Sequence, residues 1–401
     1  MRLTYLLIAV TCLLSAASAD SLNCRFIGSC PTRGSAVDVV VDGIYAFVAD
    51  DSAILRVISV SDPAHPSGVG FCLLPGSAQG VAVSGNYAYV ADGGSGLRII
   101  SIADPAQPSE VGFCNMPDWT WDVVVAGDYA YVAAHTAGLR VISVADPAHP
   151  VEVGYCDTRT AYGVAKAGDY AYIADGDSGL RVISVADPAN PTEVGSCWTP
   201  SHAEGVAKAG SYVYVADLAA GMRVISVADP ANPSEVGYCE TPGNAEGVTV
   251  AGDLACVADY GAGLRVISVA DPVNPVEVGF YDTPRSACNL AMAGGYVYVA
   301  HGAAGLRIFE YYTTGIGEGS LPHASRITPG AAVVRGTLDL GGQRSTVGKQ
   351  RFVLLDITGR KVLDLHPGPN DVSRLAPGVY FIRDLGSGAG GRDEVRKVVI
   401  R

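Results

Sequence analysis

The chain is short of cations, short of charge overall and, past its first fourteen residues, without a long apolar run. Each shortage excludes something. Charged residues make up 17% of the 401 positions, and acids outnumber Lys and Arg by 40 to 27. Residues 20–312 hold 32 acids against 13 cations, whereas residues 313–401 reverse the sign with 8 against 13. A phosphate backbone is bound by neutralising cations, so nucleic acid is excluded as a partner of the acidic part. A helix needs about 20 apolar residues to cross a bilayer, so no transmembrane span is expected. Missing too are His-Glu-x-x-His, a Gly-x-Ser-x-Gly nucleophile elbow and a phosphate-cradling glycine loop. No motif implies a cofactor or a metal, and catalysis has no local signature.

The first residues carry an ordered set of features: Arg2, an apolar stretch from Leu3 to Leu14, then Ala17-Ser18-Ala19 before Asp20. A charge, an apolar core and small residues in that order make a secretory signal peptide. Residues 1–19 are expected to be cleaved off after Ala19, leaving the chain secreted or at the cell surface. Ser21, three places before Cys24, argues against a lipidated Cys24.

After this leader one unit is copied seven times. Gly-Leu-Arg-(Val/Ile)-Ile recurs, with small departures, around Arg56, Arg98, Arg140, Arg181, Arg223, Arg265 and Arg307, spaced by 41 or 42 residues. Each copy sets four Val-, Ile- and Tyr-rich runs between turns rich in Gly, Asp and Pro. A period of roughly 40–47 residues also suits helical solenoids, but β-branched and aromatic runs broken by Gly and Pro make strands. Four strands and their turns fill one period, so the expected unit is a four-stranded propeller blade. Arg25 to Cys30 matches the fourth run but has no first three before it, and the seventh copy stops after its third run at Phe309. The first strand should complete the last blade and remove an open edge. The expected fold is all-β: a seven-bladed propeller over residues 20–312, closed by its N-terminal strand.

The repeat as it stands at residues 179–195, Gly-Leu-Arg-Val-Ile-Ser-Val-Ala-Asp-Pro-Ala-Asn-Pro-Thr-Glu-Val-Gly, resembles that of the LVIVD-repeat family of bacterial propellers. The resemblance spans residues 25–312 and implies the fold and export, but no activity. Residues 313–327 read as a linker. Residues 328–401 read as a small β-sandwich, with alternating runs such as Phe352–Asp356, Gly378–Ile382 and Val395–Ile400 and a Thr358-Gly359 turn. Leu355-Asp356-Ile357-Thr358-Gly359-Arg360-Lys361-Val362, Leu375-Ala376-Pro377-Gly378-Val379-Tyr380-Phe381 and the strand from Arg396 to Arg401 succeed one another there. In that order they resemble the C-terminal sorting domain of type IX secretion cargo, although Thr328-Pro329-Gly330 replaces the usual Asn-Pro opening. That resemblance implies export machinery as a partner; the other reading is an accessory domain that stabilises or dimerises the chain.

Repetition separates framework from candidate function. Cys30, Cys72, Cys114, Cys156, Cys197 and Cys239 share one repeat position. Neighbouring sheets lie ~10 Å apart, beyond the ~7 Å reach of a disulfide, so these six are read as small framework hydrophobes. Cys24, Cys256 and Cys288 lie off that register, and their bonding is left open. Asp50, Asp92, Asp175, Asp217 and Asp259 end the second run and are read as turn caps; the carboxylate that would complete a calcium loop after Asp175-Gly176-Asp177 is missing. The seven arginines are read as partners of turn carboxylates or carbonyls, and His65 and His149 as surface turn residues.

Two positions change from copy to copy, in the loop before the first run and two residues on: Ser35/Val37, Ser77/Gln79, Trp119/Trp121, Thr160/Tyr162, His202/Glu204, Asn244/Glu246 and Ser286/Cys288. Equivalent positions open at one end of a ring. Trp119, Trp121, Tyr162, His202, Glu204 and Glu246 are therefore expected to form an arc over four consecutive blades, bordered by Arg159, Trp198 and Arg285. The expected function is a non-enzymatic binding or scaffold module whose ligand is a glycan or an envelope protein. The alternatives are an extracellular hydrolase using Glu204 and Glu246 as acid/base pair beside a Trp121 sugar platform, a structural envelope component, or rings that only plug the channel.

Overall fold

Each repeat becomes one antiparallel sheet, as its alternation of β-rich runs and tight turns requires. The computed structural model describes residues 21–283 and 286–312, and beyond them the strands Ala332–Val334, Thr337–Asp339, Phe352–Leu355, Lys361–Leu365, Pro369–Asp371, Gly378–Asp384 and Val395–Ile400. The chain divides into two compact units, Met1–Tyr311 and Tyr312–Arg401. In the first unit seven sheets succeed one another in chain order, and we number them as blades from the one that begins at Ala36. Blade 2 is typical. Gly80–Ser84 is innermost, Tyr87–Ala91 and Leu97–Ser101 come next, and Ser109–Cys114 is outermost. Its two middle strands are buried on both faces because neighbouring sheets cover them, which is why they read as near-continuous apolar runs.

Seven apolar cores, one at each junction, hold the blades together. Between blades 2 and 3, Tyr89, Leu97 and Ile99 meet Val123, Val132 and Ile142. The Val-Gly near the end of every repeat has a steric cause. A Cβ on Gly70, Gly112 or Gly154 would lie 2.2–2.3 Å from the carbonyl oxygen of Pro105, Pro147 or Pro188, each in the Asp-Pro turn of the next blade. The glycine is the socket and the Asp-Pro turn fills it. Asp62 shows how that turn is made: its carboxylate accepts from the Ala64 N–H and contacts His65 Nδ1 at 2.9 Å, so His65 is a turn residue, as is His149 on Asp146.

The ring closes as the displaced repeat fragment leads one to expect. Cys24–Cys30 pairs antiparallel with Leu306–Tyr311 and becomes the outermost strand of blade 7. The structure adds a feature with no counterpart in the repeat: Ser21–Leu22 pairs with Val276–Tyr281 and forms a fifth strand on blade 6. Blade 7 lacks an Asp-Pro turn, and the socket at Gly279 is met instead by the Leu22 carbonyl and the Tyr311 ring.

Around the axis the innermost strands use two devices. In blades 2, 4, 5 and 6 they begin with Gly80, Gly163, Gly205 and Gly247, where a Cβ would fall 2.4–2.7 Å from an atom of the next blade. The other three carry Asp38, Asp122 and Asn289 at this place, and their side chains span the junction. Asp38 accepts from the Val81 N–H at 2.8 Å and from Asn289 Nδ2 at 2.7 Å; Asp122 accepts from the Val164 N–H at 2.8 Å.

In the second unit, one sheet carries strands in the order Ala332–Val334, Val395–Ile400, Gly378–Asp384, Phe352–Leu355, Lys361–Leu365, and Thr337–Asp339 pairs with Pro369–Asp371. The Thr358-Gly359 turn and the linker lie outside the described residues.

Candidate functional site

The second strand of each blade ends on one face of the ring, where its turn pairs with the loop of the next blade. Five of these bridges are Gly93 with Thr120, His135 with Ala161, Gly176 with Ala203, Leu218 with Ala245 and Tyr260 with Ala287. The pinned loop residues Thr120, Ala161, Ala203, Ala245 and Ala287 are small and buried. On either side of each stand the two variable positions, so the pin fixes both. The second of them is held from below: the N–H groups of Trp121, Tyr162, Glu204 and Glu246 donate to Ala133, Ala174, Ala216 and Ala258 at 2.9 Å. Backbone hydrogen bonds that the fold needs anyway thus aim side chains that the fold does not prescribe.

Four members of the expected arc lie in one series of ring contacts. Trp119 and Trp121 have centroids 6.2 Å apart, Trp121 and Tyr162 5.4 Å, and Tyr162 and His202 4.8 Å, in tilted and edge-on pairs of the kind aromatic quadrupoles favour. His135 joins them edge-on to Tyr162 at 5.6 Å. No pattern in the repeat announces it, because its slot in the second-to-third-strand turn holds unrelated residues in other copies. Trp119 lies against Gly93 and Gly94 of the preceding turn, and His202 lies against Gly176, which has φ +54°. A side chain at Gly176 would meet His202 at 2.9 Å, so glycine there seats the ring.

Polar groups flank the rings. His202 Nδ1 contacts Asp177 at 2.8 Å, and His135 Nδ1 contacts Asp118 at 3.2 Å. The Thr136 hydroxyl and backbone N–H groups hold Asp118 down at about 2. Trp121 Nε1 is buried with no hydrogen-bond partner. Burial raises Glu204, and burial together with the Glu204 charge pushes Glu246 up to about 8. Cys288, on the next blade, is an electrostatic neighbour of Glu246, and its thiol donates to the Ser286 carbonyl at 3.7 Å. On the same face a groove of about 360 Å³ is lined by Pro242, Asn244, Tyr260 and Ala262, starting two residues from Glu246.

The border residues differ from the arc. Arg159 is exposed beside Asp177. Trp198 is 68% exposed and shares none of the ring contacts that build the arc. Arg285 lies outside the described residues.

The repeated charges are framework. Asp92 accepts from the Gly76 N–H and Asp175 from the Arg159 and Thr160 N–H groups, closing the loop that enters each blade. Arg98 lies 3.8 Å from Asp92, 3.5 Å from Glu110 and 4.8 Å over the Phe113 ring, and Arg140, Arg223 and Arg265 stack likewise on Tyr155, Tyr238 and Phe280. Blade 4 has Ser196 where these aromatics stand, and there Arg181 relies on Asp175 and Glu193 at 3.1 and 3.0 Å.

A sequence profile described as the LVIVD repeat matches residues 33–73, 75–116, 119–158, 159–199, 200–241, 242–283 and 284–309. No curated protein matches the chain. Among solved structures, the WD40 repeats of RRP9 superpose with a TM-score of 0.59 at 12% identity, over 72% of this chain and 97% of that one. U3-55K gives 0.58 at 13%, over 72% and 98%, and the computationally designed Ika8 protein 0.53 at 7%, over 71% and 99%. At these identities the likeness is one of fold alone.

Proposed function

Because the chain belongs to the LVIVD-repeat family, with the repeat building every blade, we propose that it is an exported, non-enzymatic binding module whose aromatic arc takes a glycan. The observation that carries this is the unbroken run of rings from Trp119 to His202, laid across three blades on one face. A sugar offers C–H faces that pack on such rings and hydroxyls for a few convergent polar groups. Here those groups are Glu204 and Asp177, the latter against His202. The test is a glycan array probed with the full chain and with Trp121→Ala. A glycan bound by the first and lost by the second supports the reading; no retained glycan, or equal binding by both, overturns it.

A hydrolase is the second reading, favoured by one observation. Glu246, pushed up to about 8, holds a proton at neutral pH beside Glu204, and carboxyls pushed apart in this way make acid/base pairs. Turnover of aryl glycosides that disappears in both Glu204→Gln and Glu246→Gln would establish it in place of simple binding.

Export is supported by the leader-like residues 1–19 and by the three C-terminal motifs. In the C-terminal unit Gly378–Asp384 pairs antiparallel with both Val395–Ile400 and Phe352–Leu355. The partners are thus an extracellular or envelope glycan for the ring and the export machinery for the C-terminal unit.

A further inference from the structure

Two of the departures from the repeat at the seam where the ring closes are to cysteine. On the second strand, six blades carry an aromatic ring that packs on the next blade: Phe47, Tyr89, Tyr131, Tyr172, Tyr214 and Tyr298. Blade 6 has Cys256 instead. In the residue before the outermost strand, six copies carry Pro66, Pro108, Pro150, Pro191, Pro233 and Pro275. The N-terminal strand has Cys24 in that slot, paired across to Tyr311.

The fold brings the two departures together. Cys24 and Cys256 are both fully buried and belong to the same core, between blades 6 and 7, with Phe309, Val297 and Leu264. Phe309 takes a slot that is isoleucine in the other six blades and fills part of the space that the missing ring leaves. Cys24 occupies more of it. Its neighbours fix it there: Asn23 Nδ2 donates to the Val278 carbonyl of blade 6 at 2.8 Å, and Ser21–Leu22 pairs with the same blade. Charge on Cys24 raises Cys256, and charge on either raises Tyr311, so the three are electrostatic neighbours. Burial pushes Cys24 up to about 12 and raises Cys256 as well, which makes both thiols poor nucleophiles once buried. Any bond between them forms while the strand is docking.

We propose that Cys24 and Cys256 form a disulfide that staples the closing strand to blade 6. In this step each thiol gives up one proton and one electron to the disulfide of a thiol–disulfide oxidant. One S–S bond forms in this chain as the oxidant's S–S bond breaks to two thiols. The six framework cysteines and Cys288 stay reduced. The bond ties the noncovalent seam of the ring to a neighbouring blade, across a very long interval of chain, where cross-links remove the most entropy from the unfolded state.

The test uses the full chain folded in a glutathione redox buffer, unfolded under non-reducing conditions and alkylated. Expected are alkylation of all but two of the nine described cysteines, and one cross-linked peptide joining Cys24 to Cys256 that reductant dissolves. Reduction should lower the melting temperature by roughly 5–10 °C. A Cys256→Ser chain, whose melting should be insensitive to reductant, separates the bond from the packing. Alkylation of all nine, a cross-link to any other cysteine, or equal reductant sensitivity in Cys256→Ser would each overturn the proposal.

Discussion

Replacing Asp122 by asparagine removes a titration that the fold has displaced far from its ordinary range. Asp122 begins the innermost strand of blade 3, and its two oxygens accept from the Val123 and Val164 N–H groups at 2.7 and 2.8 Å. Burial, and then the charge on Asp38, push its pKa from 3.8 up to about 7. The folded chain therefore keeps a proton that the unfolded chain has already released. Stability from this group is present below the unfolded value and lost as the pH rises towards the folded one. Between pH 5 and the folded value lie about two pH units, each about 1.4 kcal/mol, so the wild type should lose about 3 kcal/mol between pH 5 and pH 8 through Asp122. Asp122→Asn keeps one acceptor and gives up the other at a cost that does not vary with pH. The stability difference, wild type minus variant, should fall by about 3 kcal/mol across that window. Urea midpoints followed by near-ultraviolet circular dichroism at pH 5, 6, 7 and 8 measure it. Parallel stability curves for the two chains would refute the reasoning, because they would mean that Asp122 is ionised throughout.

Deleting residues 20–31 should leave Leu306–Tyr311 as an open edge and turn a monomer into an aggregating species; an unchanged monomer in light scattering, with unchanged melting, contradicts the closure. Tyr172→Ala, which empties a junction where the ring is 3% exposed, should cost about 3–5 kcal/mol. Trp121→Ala gives up two exposed-face ring pairs and should cost only about 1–2 kcal/mol in the same denaturant assay; equal losses would make the arc mere packing. A stop after Gly315 should strand a folded ring in the periplasm of a host with type IX machinery; its appearance outside at full-length levels in cell fractionation leaves only the accessory-domain reading.

The blades were legible because each rests on short-range rules, such as Val-rich runs, Asp-Pro turns and a glycine socket, repeated until chance is excluded. Closure was legible for the same reason, since Arg25 to Cys30 is a displaced fragment of that repeat. The arc could be placed because equivalent positions in a ring share a face. What stayed hidden has no repeat to betray it. Ser21–Leu22 is a two-residue strand whose partner is 260 positions away, as Ser21 pairs with Tyr281. Asp38, Asp122 and Asn289 stand one residue past the variable pair, at a slot where four glycines hide its variability. His135 reaches the rings from a turn of the neighbouring blade, so no pattern within one copy points to it.

The closing strand has a consequence in time. Residues 24–30 are made first, and their partner, Leu306–Tyr311, is made last among the seven blades. At roughly 5–20 residues per second, Cys30 waits on the order of 15–55 s for Leu306, and throughout that interval blade 1 has no neighbour on the side that blade 7 will cover. The apolar face formed by Val39, Ala46, Val48 and Ile58, which blade 7 buries, is bare for nearly as long. The ring is thus most vulnerable during its own synthesis, and whatever meets the nascent chain must shield its beginning until its end arrives.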